Sequence, residues 1–225
     1  MKKLVNGIVD FRKNIQPDYI QKFSQLARGQ RPDALFIACS DSRVVPNVFA
    51  STDPGDLFVV RNVGNLVPCC GADGLSKSDE SEAAAIEFAV SKLNVSDIII
   101  CGHSDCGAMH AIKNGRSNIS ALTAPNLKSW LRHGEVALND KNQDVNELSK
   151  VNVLQQLENL KTYPVVQERL EQGNLGLHAW WFDLQTANVL YFSKSQDRFV
   201  VIDEVEAKTI LAQMDTKWTQ TQLNT

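Results

Sequence analysis

The apolar residues of this chain fall into short unbroken runs and into longer stretches where they recur at helical spacing. Two runs stop abruptly at polar side chains: Ala34-Leu35-Phe36-Ile37-Ala38-Cys39, and Ile98-Ile99-Ile100-Cys101 before Gly102-His103. Uninterrupted apolar runs of strand length mark strands covered on both faces, as in a parallel sheet. Leu57-Phe58-Val59-Val60 is a third strand, after the turn Asp53-Pro54-Gly55-Asp56. Residues 5–26 read as two amphipathic helices, the second opened by Pro17. Residues 79–93 give the clearest helix. Asp79 suits an N-cap with Glu82 at capping-box distance, and Ala83, Ile86, Ala89, Val90 and Leu93 form its apolar stripe. Strand, helix and strand in that order imply a right-handed parallel crossover.

Further helices are expected at Gly107–Lys113, 127–138, Val145–Leu160, 165–171 and 205–214, with the last ten residues loose. Segments 175–184 and 189–192 alternate around Gln185-Thr186-Ala187-Asn188 and read as a hairpin at the sheet edge. The fold class is therefore α/β: a mainly parallel central β-sheet flanked by helices, with an N-terminal helical arm and an antiparallel edge hairpin. A chain of 225 residues fills one good core, so residues 1–225 are read as a single domain whose arm is 1–29.

Charge narrows the partners. The net charge is -3 and the basic residues are scattered, which argues against nucleic-acid and membrane-surface binding. Asp10, Arg12 and Lys13 interrupt any signal-peptide core, and no apolar run approaches a membrane span. The expectation is a cytoplasmic protein. Five cysteines, an odd number, point to reduced thiols rather than a disulfide framework. Cys101 lies inside a strand and reads as a small buried hydrophobe, while Cys69 and Cys70 read as ordinary loop residues. His178 reads as a partly buried structural histidine, His110 and His133 as non-catalytic, and Trp130, Trp180 and Trp181 as core or interface aromatics.

If the first and third strands run parallel, their carboxyl ends share an edge, and Cys39 can meet His103 and Cys106 there. Two thiolates and one imidazole suit zinc, and three protein ligands rather than four leave a position for water. His-x-x-Cys alone is a weak motif; with Cys-x-Asp-x-Arg at a matching strand end it becomes specific. Asp41 and Arg43 follow Cys39 at intervals of two, so an extended segment projects all three to one side. Arg43 can then hold Asp41 ionised and aimed through a bidentate pair.

Cys39-Ser40-Asp41-Ser42-Arg43 followed by His103-Ser104-Asp105-Cys106-Gly107 resembles the β-class carbonic anhydrases. Gln30 and Phe58 match the plant-like subgroup, whose tyrosine is replaced here by Phe88. The resemblance implies one zinc per subunit on Cys39, His103 and Cys106, and reversible hydration of carbon dioxide to bicarbonate and a proton. The nucleophile it implies is zinc-bound hydroxide oriented by Asp41 and Arg43. It also implies a substrate pocket of Gln30, Phe58, Val63 and Phe88, and a homodimer or higher homo-oligomer formed through the arm, with Phe58 and Phe88 reaching across the interface. Phe88 keeps the ring and removes a hydroxyl. The bicarbonate-inhibited bacterial subgroup has a tryptophan three residues before the first cysteine, where this chain has Phe36, so no such inhibition is expected. Two alternatives stay open: hydrolysis of carbon disulfide or carbonyl sulfide on the same scaffold, and a zinc-stabilised structural or redox module in which Asp41 is the fourth ligand.

Overall fold

The structure, a computed structural model, describes residues 1–76, 80–138 and 143–223, with side chains up to Met214. In chain order, α1 (Lys2–Asp10) and α2 (Gln16–Leu26) flank a π-helical turn at Phe11–Ile15. Then come β1 (Ala34–Cys39), α3 (Pro46–Phe49), β2 (Leu57–Asn62), α4 (Glu80–Glu87) and β3 (Asp97–His103). The second half holds α5 (Gly107–Lys113), α6 (Pro125–Trp130), α7 (Val145–Leu160), α8 (Pro164–Glu171), β4 (Gly176–Phe182), β5 (Val189–Ser193), β6 (Arg198–Val201) and α9 (Glu204–Leu223).

The six strands form one sheet in the order β2-β1-β3-β4-β5-β6, parallel from β2 to β4 and antiparallel beyond. Both faces of β1 and β3 are covered, which is why neither alternates. Leu35, Ile37, Ile98 and Ile100 pack with Ile86, Val153, Leu160 and Val166, below α4, α7 and α8. Phe36, Ala38, Ile99 and Cys101 face the other way, toward Phe49, Trp180 and Phe182. The register sets Cys39 beside Asn62, and Ala38 beside both Arg61 and Cys101. The carboxyl ends of β1, β2 and β3 therefore meet at one edge.

Several expectations need correction. The antiparallel edge expected of the hairpin is present and one strand wider: β6 pairs beyond β5, too short to stand out in a polar surrounding. The arm is a continuous helical run with a π turn rather than two separate helices. Pro17 lacks the N–H that an α-helix would direct at the fourth preceding carbonyl, and the widened turn lies just before it. The helix expected at 79–93 starts at Glu80 and closes in a π-helical turn at Phe88–Lys92; the Asp79 cap lies outside the described residues. The helix expected at 127–138 divides into α6 and a 3₁₀ turn at Leu131–Ala137, where a Cβ on Gly134 would come within 2.6 Å of Ile112. The tail helix continues to Leu223 instead of ending near residue 214. No described helix is long and apolar enough to cross a membrane.

No residue of the arm is buried, although Leu4, Ile8, Phe11, Ile15, Ile20 and Phe23 lie along it. It is tethered at its end. Leu26 packs on Gly55, whose φ of +100° favours glycine and where a built Cβ would lie 2.6 Å from Leu26 Cδ2. Lys22 also pairs with Asp53 at 2.5 Å. At the opposite end of the sheet from Cys39, His178 Nε2 bonds Asp97 Oδ1 at 2.6 Å, in keeping with a structural histidine.

Candidate metal centre

Each donor side chain stands at the end of an element. Cys39 is the last residue of β1, His103 the last of β3, and Cys106 the N-cap residue of α5. The β3–α5 connection is a tight turn through Asp105, whose φ is +53° and whose N–H donates to Asn146 Oδ1 at 2.8 Å. Cys39 Sγ, Cys106 Sγ and a His103 ring nitrogen all lie within 4.8 Å of one another, and all three residues are buried. The two sulfurs are 4.0 Å apart. Tetrahedral zinc, with Zn–S near ~2.3 Å, holds paired sulfurs at roughly that spacing.

His103 carries the sharpest sign of a missing partner. Its Nδ1 lies 2.8 Å from the Ser104 carbonyl, which can only accept, so the ring proton is on Nδ1. Nε2 therefore presents a lone pair, and it is buried with no hydrogen-bond partner. A bare imidazole nitrogen beside two thiols fits a thiophilic metal ion. The hydrogen bond from Cys106 holds the Cys39 thiol well below its usual range, aided by His103 and by the backbone N–H groups of Asp41 and Gly64. Cys106, bonded to that thiolate and buried, keeps its proton. Cys101, 0% exposed in the core, is pushed up by burial and takes no part. Cys69 and Cys70 join no metal-capable cluster among the described residues.

Asp41 and Arg43 meet as expected. Arg43 Nε donates to Asp41 Oδ1 at 2.9 Å and Nη2 to Oδ2 at 2.8 Å, a parallel two-bond clasp. The Arg43 backbone N–H adds a third bond at 3.0 Å. The guanidinium holds the Asp41 carboxyl far below the ordinary carboxylate range, so it stays ionised at working pH. Asp41 Oδ2 is 4.0 Å from His103 Nε2, which places the carboxylate beside the donor cluster.

Three supports escaped the sequence reading. Arg61, at the end of β2, donates to the Cys39 carbonyl from Nε and Nη2 (3.1 and 2.9 Å) and to the Asp41 carbonyl at 2.6 Å. Arg43 also reaches Asp105, whose Oδ1 is bonded by His110 Nε2 at 2.7 Å. The Gly64 N–H donates to Cys39 Sγ at 3.4 Å. A basic residue closing a strand is the only one of these with a visible sequence signal.

The substrate-pocket residues are divided. Val63 lies next to Gly64 and its carbonyl accepts from Trp130 Nε1 at 2.7 Å, so it borders the cluster. Phe58 and Phe88 pack on each other with ring centroids 5.9 Å apart, but Phe58 pairs with Leu35, near the opposite end of β1 from Cys39. Gln30 is exposed in the loop entering that same far end. Within one chain these three do not join the metal cluster.

A sulfur–imidazole cluster at parallel strand ends, flanked by a clasped carboxylate, is suited to hold a metal ion, and comparison gives its family. The carbonic anhydrase profile matches residues 34–189, and the chain belongs to that family. Carbonic anhydrase of Pseudomonas aeruginosa is 40% identical over 213 residues, covering 91% of this chain and 93% of the relative. Carbonic anhydrase 1 of Escherichia coli O157:H7 is 39% identical over 208 residues, covering 89% and 91%. Among solved structures, the β-carbonic anhydrase CcaA superposes with a TM-score of 0.82 at 36% identity, covering 91% and 92%. The class is thus β, and the chain is an enzyme of the carbonate dehydratase type.

Proposed function

We propose that this protein catalyses the reversible hydration of carbon dioxide to bicarbonate at a zinc ion held by Cys39, His103 and Cys106. The observation that carries the reading is the unpartnered, buried Nε2 of His103 facing two sulfurs. Zinc bound there would supply a Lewis acid that makes water a nucleophile near neutral pH. The chain's own residues do the rest. Asp41, ionised and fixed by Arg43, can only accept a hydrogen bond, so it selects and orients a reacting water that still carries a proton. Arg61 keeps the Cys39–Asp41 backbone from shifting while this happens. The proton then leaves to buffer.

The pocket of Gln30, Phe58, Val63 and Phe88 is read as the plant-like one, completed by a second copy. Gln30 donates an amide N–H to a substrate oxygen, and the apolar side chains suit a small apolar gas. Phe88 offers no hydroxyl there. We read residues 1–225 as one domain whose arm, 1–29, forms the dimer; the β-carbonic anhydrases of Sordaria macrospora are described as tetrameric, so a higher homo-oligomer fits too. Reduced thiolate ligands suit the cytoplasm. Phe36 is buried between Phe49 and Trp180, with no tryptophan at its position, which supports the absence of bicarbonate inhibition. Against a closed structural site stands the Arg43 clasp, which occupies both Asp41 oxygens.

The test is elemental analysis joined to stopped-flow hydration. One zinc per chain is expected, with activity lost on chelation and about 100-fold lower in Asp41→Asn, the scale of losing one transition-state hydrogen-bond partner. Full activity without a transition metal would overturn the reading. Faster turnover of carbon disulfide or carbonyl sulfide would move it to the hydrolase alternative.

A further inference from the structure

Helix α7 buries Leu148, Ser149, Asn152, Val153, Gln156, Asn159 and Leu160, a face in which polar residues outnumber apolar ones. Asn152 and Gln156 are 0% exposed. With Asn159 they recur at intervals of four and three, so their amides stack along one side of the helix.

Each link fixes the orientation of the next. The Val67 N–H donates to Gln156 Oε1 at 2.8 Å, which turns Gln156 Nε2 the other way, onto Asn152 Oδ1 at 2.9 Å and the His133 carbonyl at 3.3 Å. With Oδ1 occupied, Asn152 directs Nδ2 to the Gly64 carbonyl at 3.2 Å. Asn159 Nδ2 donates to the Val67 carbonyl (2.8 Å) and Gln156 Oε1 (3.1 Å), and Tyr163 OH donates to the Pro68 carbonyl (2.7 Å). Asn62 pins the loop from within, bonding both the N–H and the carbonyl of Leu66 at 2.8 Å. One helix thus serves as hydrogen-bonding template for the loop at residues 63–68.

That loop ends at the metal centre. Gly64 has φ +87° and a built Cβ would lie 2.9 Å from Ala108 Cβ, so its backbone presses against α5 while its N–H reaches Cys39 Sγ. The same helix face also holds the other ligand strand: Ser149 Oγ donates to the His103 carbonyl at 2.9 Å and accepts from Trp181 Nε1 at 3.1 Å.

We propose that the amide ladder of α7 is a positioning device for the metal centre, fixing the Gly64 N–H on the Cys39 sulfur and so setting how much charge that sulfur gives a bound metal. This rests on the reading of Cys39, His103 and Cys106 as zinc ligands. Two thiolates offset the charge of a divalent ion, and an N–H donated to one of them restores part of its Lewis acidity. Asn152 and Gln156 are positioning residues. They touch neither the donor atoms nor substrate.

The experiment uses Asn152→Leu and Gln156→Leu, read by the sulfur-to-cobalt charge-transfer band of cobalt-substituted protein and by zinc affinity in chelator competition. Losing the N–H leaves the sulfur richer in electrons, so the band moves to longer wavelength, while the lost orientation of the Cys39 side chain weakens zinc binding about 10-fold or more. Gln156→Leu, which holds the loop at Val67 and reaches Gly64 only through Asn152, shows the smaller change. Val166→Ala, buried in α8 and outside the ladder's hydrogen bonds, lowers stability without moving band or affinity. Should both ladder variants fail to fold, the unaltered protein still decides: its Gly64 amide exchanges hydrogen as slowly as the core strands, and fast exchange overturns the inference. A normal wild-type band unmoved in both folded variants overturns the ladder alone. No sulfur-to-cobalt band in the unaltered protein overturns the zinc reading and this inference with it.

Discussion

The N-terminal arm and helix α7 break the hydrophobic rule in opposite directions. The arm leaves apolar side chains in water, Ile8 at 67% exposed, while α7 buries amides completely. A buried amide is destabilising unless bonded, and those of Asn152, Gln156 and Asn159 are bonded to the backbone of Gly64 and Val67 in the loop at 63–68. α7 is therefore finished within one chain, and its polar residues hold the loop whose Gly64 N–H reaches Cys39. The arm is unfinished. A contiguous exposed apolar stripe forgoes about 25 cal/mol per Å² that a second surface would recover, and such a stripe marks an interaction face.

The arm half of the contrast carries the largest expected effect. Leu4, Ile8 and Phe11 share one helical face, and changing all three to Gln should turn the oligomer into monomers by sedimentation. Hydration should fall about 100-fold, the scale of lost substrate positioning, because Gln30, Phe58 and Phe88 do not reach the cluster of their own chain. Zinc content should stay at one, since all three donors lie in one core. An oligomer and a rate that both survive would refute a partner for the arm.

The α7 half is sharpened by Asn159→Leu. It strands the Val67 carbonyl and the Gln156 Oε1 contact in the core, and should cost about 2 kcal/mol in denaturant melts. Ile8→Gln in monomeric protein should cost nothing measurable. If the two variants melt alike, polar burial in α7 is incidental.

The parts set by local pattern were legible. Gly107–Lys113 and Val145–Leu160 have the bounds expected of them, and β1 stops at Cys39 with its apolar run while β3 runs two residues past its own, to His103. The meeting of Cys39, His103 and Cys106 followed from parallel strands sharing an edge. What periodicity could not show was which polar residues turn inward. The Leu residues of α7 announce a helix, but Asn152, Gln156 and Asn159 resemble its wet face until the loop at 63–68 is laid against them. Gly64 and Asp105 matter through backbone angle and contact, which leave little trace in composition. Gln30, Phe58 and Phe88 were matched as pocket residues by resemblance, yet strand direction sets Gln30 and Phe58 at the far end of the sheet from Cys39.

The smallest effect tests how α7 is held at its start. Asp144 Oδ1 accepts from the N–H groups of Asn146 (2.8 Å) and Glu147 (3.3 Å), whereas neither α1 nor α2 has a side-chain cap. Those two donors hold the Asp144 carboxyl below its ordinary range, the Asn146 N–H most of all. A carboxyl whose folded value is depressed contributes stability that is complete above its unfolded value, about 3.9, and is lost as pH falls through the folded one. Asp144→Ala should therefore lower stability by about 1 kcal/mol at neutral pH. The gap to the unaltered protein should close in melts taken progressively below pH about 4. A gap that persists unchanged into acid would mean that the side chain acts there by packing and not as an ionised cap.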